Sequence, residues 1–281
     1  MQGGKPSQTA LAAAYHRAAH QVLEQGRIFA DSLALRILGP DAETAVRRAR
    51  ENPSARPMRL FIAVRTRFAE DALAAAFASG ARQLVVLGAG LDTYAYRNPF
   101  ADSLRVFEVD HPATQAWKRQ RLQDAAIPLP SWLTFVPVDF ERQTLPERLA
   151  AAGFAPVQPT FFTWLGVVPY LNPEAVWSTL GFIAGLPGGA HVVFDYSDPP
   201  EFLSPEQRAR HERRTQRVAG LGEPWVTYFE PEKLHAKLAA LGFAEIEDLG
   251  PAQIVVRYFP GRAGPLPDKG GHVIRAATKS S

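Results

Sequence analysis

The spacing of apolar and polar positions changes character near residue 80. Before it, apolar residues recur at helical intervals. Thr9–Gln25 is rich in alanine and other good helix formers and stops at Gly26, which predicts a helix. Asp31–Leu38 predicts a short second helix ended by Gly39-Pro40, and Pro57–Ser79 a long amphipathic one closed by Gly80. Beyond Gly80 the apolar runs become short and β-branched. Gln83–Leu87, Leu104–Val109, Leu133–Val138, Thr160–Trp164 and Ala190–Asp195 predict strands, with helices over Pro112–Ala125, Leu145–Ala152 and Pro173–Gly185 among them. Strands alternating with helices imply a mostly parallel sheet covered on both faces, and right-handed crossovers make it doubly wound. The last third predicts a highly charged helix over Pro205–Ala219, another over Pro231–Leu241, and two closing strands, Phe243–Leu249 and His272–Ala277.

The expected architecture is therefore an α/β domain with a seven-stranded, mostly parallel, doubly wound Rossmann-like sheet. A single domain over 1–281 is expected: an N-terminal helical cap (1–79), a cofactor-binding core (80–195), a helical lid insert (196–230), and a C-terminal helix with strands (231–281).

Composition narrows the chemistry. Of the 281 residues 46% are hydrophobic, enough to bury a sizeable core, and no apolar run approaches a membrane span. Cysteine is absent, which removes disulfides, thiolate catalysis and cysteine-bound metals together. No secretory signal is seen in the first thirty residues, and a cytoplasmic protein is the expectation. The net charge of +3 is far from a nucleic-acid signature. Arg208, Arg210, Arg213, Arg214 and Arg217 share one helix, but Glu206 and Glu212 interleave, as on a solvated, salt-bridged face. His16 and His20 stand four apart on a helix with no third ligand nearby, so no metal is expected.

The informative stretch is Leu87-Gly88-Ala89-Gly90-Leu91-Asp92-Thr93, directly after the first strand. Glycines there let the backbone turn tightly and approach a ligand, at the carboxyl end of a strand where open α/β sheets bind them. The second strand ends in Phe107-Glu108-Val109-Asp110, so two acids lie 20 and 22 residues after Gly88. That is the distance at which an acid hydrogen-bonds a ribose diol. Glu108 and Asp110 are both candidates, and a solvated carboxylate at a strand end is the plainer alternative. A dinucleotide fingerprint needs a third glycine where this chain has Thr93, which favours a ligand with ribose and no phosphates. Asp139-Phe140, after the third strand, suits an exocyclic amine and the face of an adenine.

Val64-Arg65-Thr66-Arg67-Phe68, the string LGAGLDTYAYR from Leu87 to Arg97, and FEVDHP from Phe107 to Pro112 together resemble the leucine carboxyl methyltransferase family, in its bacterial branch of S-adenosylmethionine-dependent O-methyltransferases. The resemblance implies a class I methyltransferase fold, S-adenosylmethionine as cofactor and S-adenosylhomocysteine as product. It implies that Arg65 pairs with the methionine carboxylate, with Arg17 assisting from a segment folded over the cofactor. Gly88, Ala89, Gly90 and Asp92 then form the cofactor turn, Asp110 or Glu108 holds the ribose, and Asp139 and Phe140 meet the adenine. One departure stands out: many relatives carry a Glu-Gly pair where this chain reads Leu165-Gly166.

The methyl acceptor is expected to be a small-molecule carboxylate or hydroxyl. A carboxylate needs no general base, and a hydroxyl gains from one. Tyr170 and Tyr196 are the catalytic candidates, with ordinary packing tyrosines as the alternative. An NAD-dependent oxidoreductase is the rival reading, and a catalytically inactive S-adenosylmethionine-binding protein, motivated by Leu165, is another. Neither a nucleic acid nor a membrane is expected as partner.

Overall fold

The computed structural model describes residues 7–140, 142–220 and 222–279, with Arg217 described by its backbone alone. Helices α1 (Gln8–Leu23), α2 (Asp41–Glu51) and α3 (Arg56–Ala78) precede the first strand. The sheet strands are β1 (Gln83–Leu87), β2 (Arg105–Asp110), β3 (Leu133–Pro137), β4 (Thr160–Trp164), β5 (Ala190–Ser197), β6 (Phe243–Leu249) and β7 (Gly271–Thr278). Between them run α4 (Pro112–Asp124), α5 (Leu145–Ala151), α6 (Pro173–Ala184), α7 (Pro205–Ala219), α8 (Pro231–Ala240) and α9 (Pro251–Tyr258).

The strands form one seven-stranded mixed sheet of order β3-β2-β1-β4-β5-β7-β6. Its first five places follow the doubly wound order, which reverses direction at β1. β2 pairs with β3, β1 with β4, and β4 with β5 in parallel. β7 runs antiparallel to both of its neighbours, with Asp195 opposite Val273 and Asp248 opposite Ile274. All five residues of β1 are buried, which is why it reads as an unbroken apolar run.

The chain divides into two compact units. One comprises the described residues up to Glu70 together with Gly88–Gly153. Its core gathers Ala14 and Ala18 of α1, Ile37 and Leu38, Ala45 of α2, Leu91 of the glycine turn and Leu122 of α4. The Ser7 hydroxyl caps α1 by accepting from Ala10 N at 3.1 Å. The other unit comprises Asp71–Leu87 and the described residues from Phe154 onward. Phe162 of β4, Leu180 of α6, Phe194 of β5, Leu238 of α8 and Ile274 of β7 are fully or almost fully buried in it.

Three elements differ from the sequence-based expectation. Asp31–Leu38 is not a continuous helix, because a short 3-10 turn occupies only Arg36–Leu38 and Gly39 ends it at φ +55°. The α2 helix went unread because it buries only Ala45 and Val46, too sparse a stripe to show as a period. The α9 helix contains Ile254-Val255-Val256, residues that favour strands, yet Pro251 at its start and burial of Ile254 and Val255 settle the segment as helix.

Candidate cofactor site

The turn after β1 lies wholly within the first unit, against the end of β2. Gly88 N and Ala89 N both donate to Val109 O, at 2.9 and 3.1 Å. Gly88 and Gly90 take φ +67° and +45°, a region that favours glycine. Asp92 N closes the turn on Ala89 O at 2.7 Å, and the Asp92 carboxylate accepts from Tyr94 N at 2.8 Å. Space is short at Gly90. A Cβ built there would stand 2.9 Å from the Cβ of Ala10, so the first turn of α1 lies directly over the turn.

Asp110 is the acid at this turn. Its Oδ2 accepts from Gly90 N at 2.5 Å and its Oδ1 from His111 N at 2.7 Å. Burial raises its pKa above the usual carboxylate value, while those two backbone donors pull the other way. Glu108 is placed differently. It is 1% exposed, and its Oε2 meets Lys118 Nζ of α4 at 2.7 Å. Burial pushes the Glu108 pKa up to about 7 against the pull of Lys118. Its carboxylate therefore points into the packing beneath the turn.

The chain just beyond the turn bears on the ligand class. Residues 88–104, all described, contain two short 3-10 turns, Tyr94–Tyr96 and Ala101–Ser103, and no α-helix. A pyrophosphate is ordinarily held at the start of a helix in this place, where amide groups and the helix dipole converge. That device is missing here. Thr93, standing where a dinucleotide site has glycine, is fully buried, and its hydroxyl donates to Asp31 Oδ2 at 2.8 Å.

Thr93 and Asp31 form a hub that sequence reading did not find. Arg17 Nη2 donates to Asp31 Oδ2 at 2.8 Å and to Thr93 Oγ1 at 3.1 Å. Arg97 Nε donates to Thr93 Oγ1 at 3.0 Å, and the same guanidinium forks onto Glu70 of α3 at 2.6 and 3.3 Å. Burial would raise the Asp31 pKa, but Arg17 and Arg97 outweigh it and hold the carboxyl below its ordinary value. Arg17 is thus committed to Asp31, with Asp92 at 3.9 Å on its other side. Its role in the structure is to tie α1 to the turn.

The remaining candidates are spread around this frame. Arg65 is half-buried on α3. Asp139 follows β3, half-buried, with Arg142 at 3.8 Å and with its backbone N donating to Gln143. Phe140 is 62% exposed, an uncovered aromatic face beside a carboxylate. In the second unit, Tyr196 is 1% exposed and donates its hydroxyl to Asp248, with His272 at 3.1 Å, so it is held inside the packing of β5, β6 and β7. Tyr170 is half-buried and its ring meets that of Trp225 edge-on at 6.2 Å. Leu165 sits in the turn after β4, where Gly166 N donates to the buried Asp195 at 2.5 Å. Among the described residues no group of three or more His, Asp or Glu side chains is arranged to hold a metal, and no helix is long and apolar enough to cross a membrane.

Comparison with known proteins covers the segment that carries this turn. The family model for leucine carboxyl methyltransferase matches residues 10–184, more than half of the chain, from α1 through the glycine turn to the end of α6. The chain belongs to that family. Among its relatives, a "Putative S-adenosyl-L-methionine-dependent methyltransferase" of Bacillus subtilis (strain 168) is 38% identical over 185 residues, 65% of this chain and 60% of the relative. A protein of the same description from Parafrankia sp. (strain EAN1pec) is 34% identical over 71% of this chain and 66% of its own length. The matches thus span less than two thirds of either relative. Among solved structures, an O-methyltransferase family protein from Burkholderia thailandensis overlaps 96% of this chain and 71% of its own, with 13% identity and a TM-score of 0.47. That likeness says nothing of chemistry.

Proposed function

We propose that this member of the leucine carboxyl methyltransferase family is an S-adenosylmethionine-dependent methyltransferase of class I, Rossmann-like fold. The observation that carries the reading is the pairing of the Gly88–Gly90 turn with Asp110, whose carboxylate is anchored by two backbone amides. Anchored in this way, it keeps lone pairs for the two hydroxyls of a ribose. Phe140, exposed next to Asp139, offers the apolar face that an adenine covers. Arg65 is the planar fork for the methionine carboxylate. Glu108 takes no part in ribose binding, since its side chain is committed to Lys118. The lack of a helix after the turn, with Thr93 in the glycine position, argues against NAD and for a cofactor without a pyrophosphate.

The bound cofactor supplies the electrophilic methyl group. The chain positions it, orients the acceptor and excludes water. The acceptor atom is an oxygen of a small molecule. A catalytically inactive binding protein is the second reading, and Leu165 in place of an acid is what favours it. Thermal unfolding against S-adenosylmethionine, S-adenosylhomocysteine, NAD and ATP tests the class. Stabilisation by the first two alone is expected, and stabilisation by NAD alone would replace the methyltransferase with the oxidoreductase reading.

A further inference from the structure

The 196–230 segment carries a side-chain cluster that the cofactor reading leaves unused. Arg214 on α7 lies over the ring of Trp225, with Cζ 5.8 Å from the ring centroid. Tyr170 meets the same indole edge-on, and His211 packs at 5.5 Å from it while sharing a hydrogen bond with Tyr228 at 3.0 Å. The segment is pinned in place by Val226 N, which donates to Pro169 O at 2.7 Å, and by the Thr227 hydroxyl, which donates to Leu171 O.

Two polar groups in this cluster have no counterpart. Among the described residues no carboxylate pairs with Arg214, and the titratable groups its charge meets are Tyr170 and His211. Partial burial pulls its pKa below the ordinary arginine value, as expected for a guanidinium partly withdrawn from water with no anion beside it. The indole Nε1 of Trp225 is buried with no acceptor. Other arginines of the chain find partners: Arg59 forks onto Glu24, Arg97 onto Glu70, and Arg210 reaches Glu206 on the same helix as Arg214. A buried donor left without a partner is costly, so such groups in native proteins ordinarily meet a ligand, an ion or water.

We propose that Arg214 and Trp225 form a receptor for the carboxylate of a ring-bearing small molecule. Arg214 is the counter-ion, Trp225 Nε1 the second donor, and the rings of Trp225, Tyr170 and Tyr228 the walls against which the apolar body lies. Arg214, Trp225, Tyr170 and Tyr228 each keep part of their surface open to solvent, so a ligand has a way in. The identification of that molecule as the methyl acceptor rests on the methyltransferase reading. The receptor itself does not. A carboxylate bound by a guanidinium has its lone pairs tied up and is a poor nucleophile, so this group is an anchor. In an acceptor so held, a hydroxyl oxygen elsewhere on the molecule would form the O–CH3 bond as the S–CH3 bond breaks, with S-adenosylhomocysteine leaving and the hydroxyl proton passing to water.

The test is calorimetric titration of the full chain with benzoate, phenylacetate and 2-naphthoate, each against its neutral amide. Arg214→Gln, Arg214→Lys and Trp225→Phe are titrated alongside wild type, and S-adenosylhomocysteine affinity is measured on every preparation. The carboxylates are expected to bind wild type on the order of tenfold or more tightly than the amides. Arg214→Gln is expected to lose that preference, Arg214→Lys to keep part of it, and S-adenosylhomocysteine affinity to stay unchanged in all three variants. Equal binding of acid and amide, full retention in Arg214→Gln, or no binding of any carboxylate to wild type overturns the proposal. If Arg214→Gln fails to fold, the acid–amide comparison on wild type and Arg214→Lys decides. Carboxylate preference without S-adenosylhomocysteine binding would instead sink the methyltransferase reading and leave the receptor standing.

Discussion

The buried pair Glu108–Lys118 is the place where a single change has the most to disturb. Both side chains are 1% exposed, and Nζ stands 2.7 Å from Oε2. At that separation and an effective dielectric of about 20, the attraction is roughly 6 kcal/mol. Removing two ions from water costs several kcal/mol each, a sum of the same size, so the net worth of the pair is small. Each half nevertheless depends on the other. Lys118→Met leaves an uncompensated buried carboxylate and is expected to cost about 3–5 kcal/mol at alkaline pH. Replacing both, Glu108→Leu with Lys118→Met, removes both desolvation penalties and is expected to fall within about 2 kcal/mol of wild type. The double-mutant cycle should therefore show strong coupling.

The pH dependence of that cost has a definite sign. Burial raises the Glu108 pKa to about 7 in the folded chain, above its unfolded value of 4.5. A carboxyl raised on folding adds no penalty below the unfolded value, and destabilises increasingly as pH rises towards the folded one. Without Lys118 the folded pKa climbs further, so the gap between Lys118→Met and wild type should widen from about pH 5 to about pH 9. Urea unfolding of wild type, both single variants and the double variant across that range is the assay. A Lys118→Met protein as stable as wild type at the alkaline end, or an additive double variant, would show that the pair is not coupled as its burial requires.

Three other changes have definite expected outcomes. Gly90→Ala combines φ +45° with a contact of 2.9 Å to Ala10 Cβ, and should lower stability by about 1–3 kcal/mol and weaken S-adenosylhomocysteine binding; calorimetry and thermal unfolding check both. Asp31→Asn removes the carboxylate that holds Arg17 and Arg97, with an expected loss of about 3–5 kcal/mol at neutral pH. Because those arginines hold the Asp31 pKa below its unfolded value of 3.8, its contribution is present above that value and lost as pH falls through the folded pKa; the variant's acid unfolding should lack this component. Burial lowers the pKa of His272, but hydrogen bonds to Asp198 and Asp248 prevail and hold it at about 9, above its unfolded value of 6.5. Its stabilisation is thus complete below about 6.5 and lost as pH rises through about 9, and His272→Gln should flatten the unfolding temperature across that window.

The strands were legible because the sheet buries them on both faces: Gln83–Leu87 and Thr160–Trp164 run to the same residues in sequence pattern and structure. The glycine turn and Asp110 were legible because their spacing is local and chemical. Glu108 and Asp110 were not separable by spacing alone, since residues two apart share one face of β2, and it is Lys118 of α4 meeting Glu108 and the Gly90 and His111 amides meeting Asp110 that separate them. The Asp31–Thr93 hub was hidden for another reason. Its four members, Arg17, Asp31, Thr93 and Arg97, come from distant parts of the chain, and no sequence pattern marks a hydrogen bond between a loop aspartate and a threonine 62 positions later. The Arg214–Trp225 cluster was visible in sequence only as a basic helix. Interleaved glutamates suggested a fully paired face, and Glu206 does pair with Arg210, but Arg214 turns inward.

Calorimetric titration of wild type, Asp110→Asn and Arg65→Ala with S-adenosylmethionine and S-adenosylhomocysteine decides whether the glycine turn is a cofactor site. Wild type is expected to bind both ligands, each variant to lose on the order of a hundredfold in affinity, and unfolding temperatures to show all three proteins folded. A well-folded wild-type protein that binds neither ligand, or an Asp110→Asn variant that binds both as wild type does, would overturn the cofactor assignment.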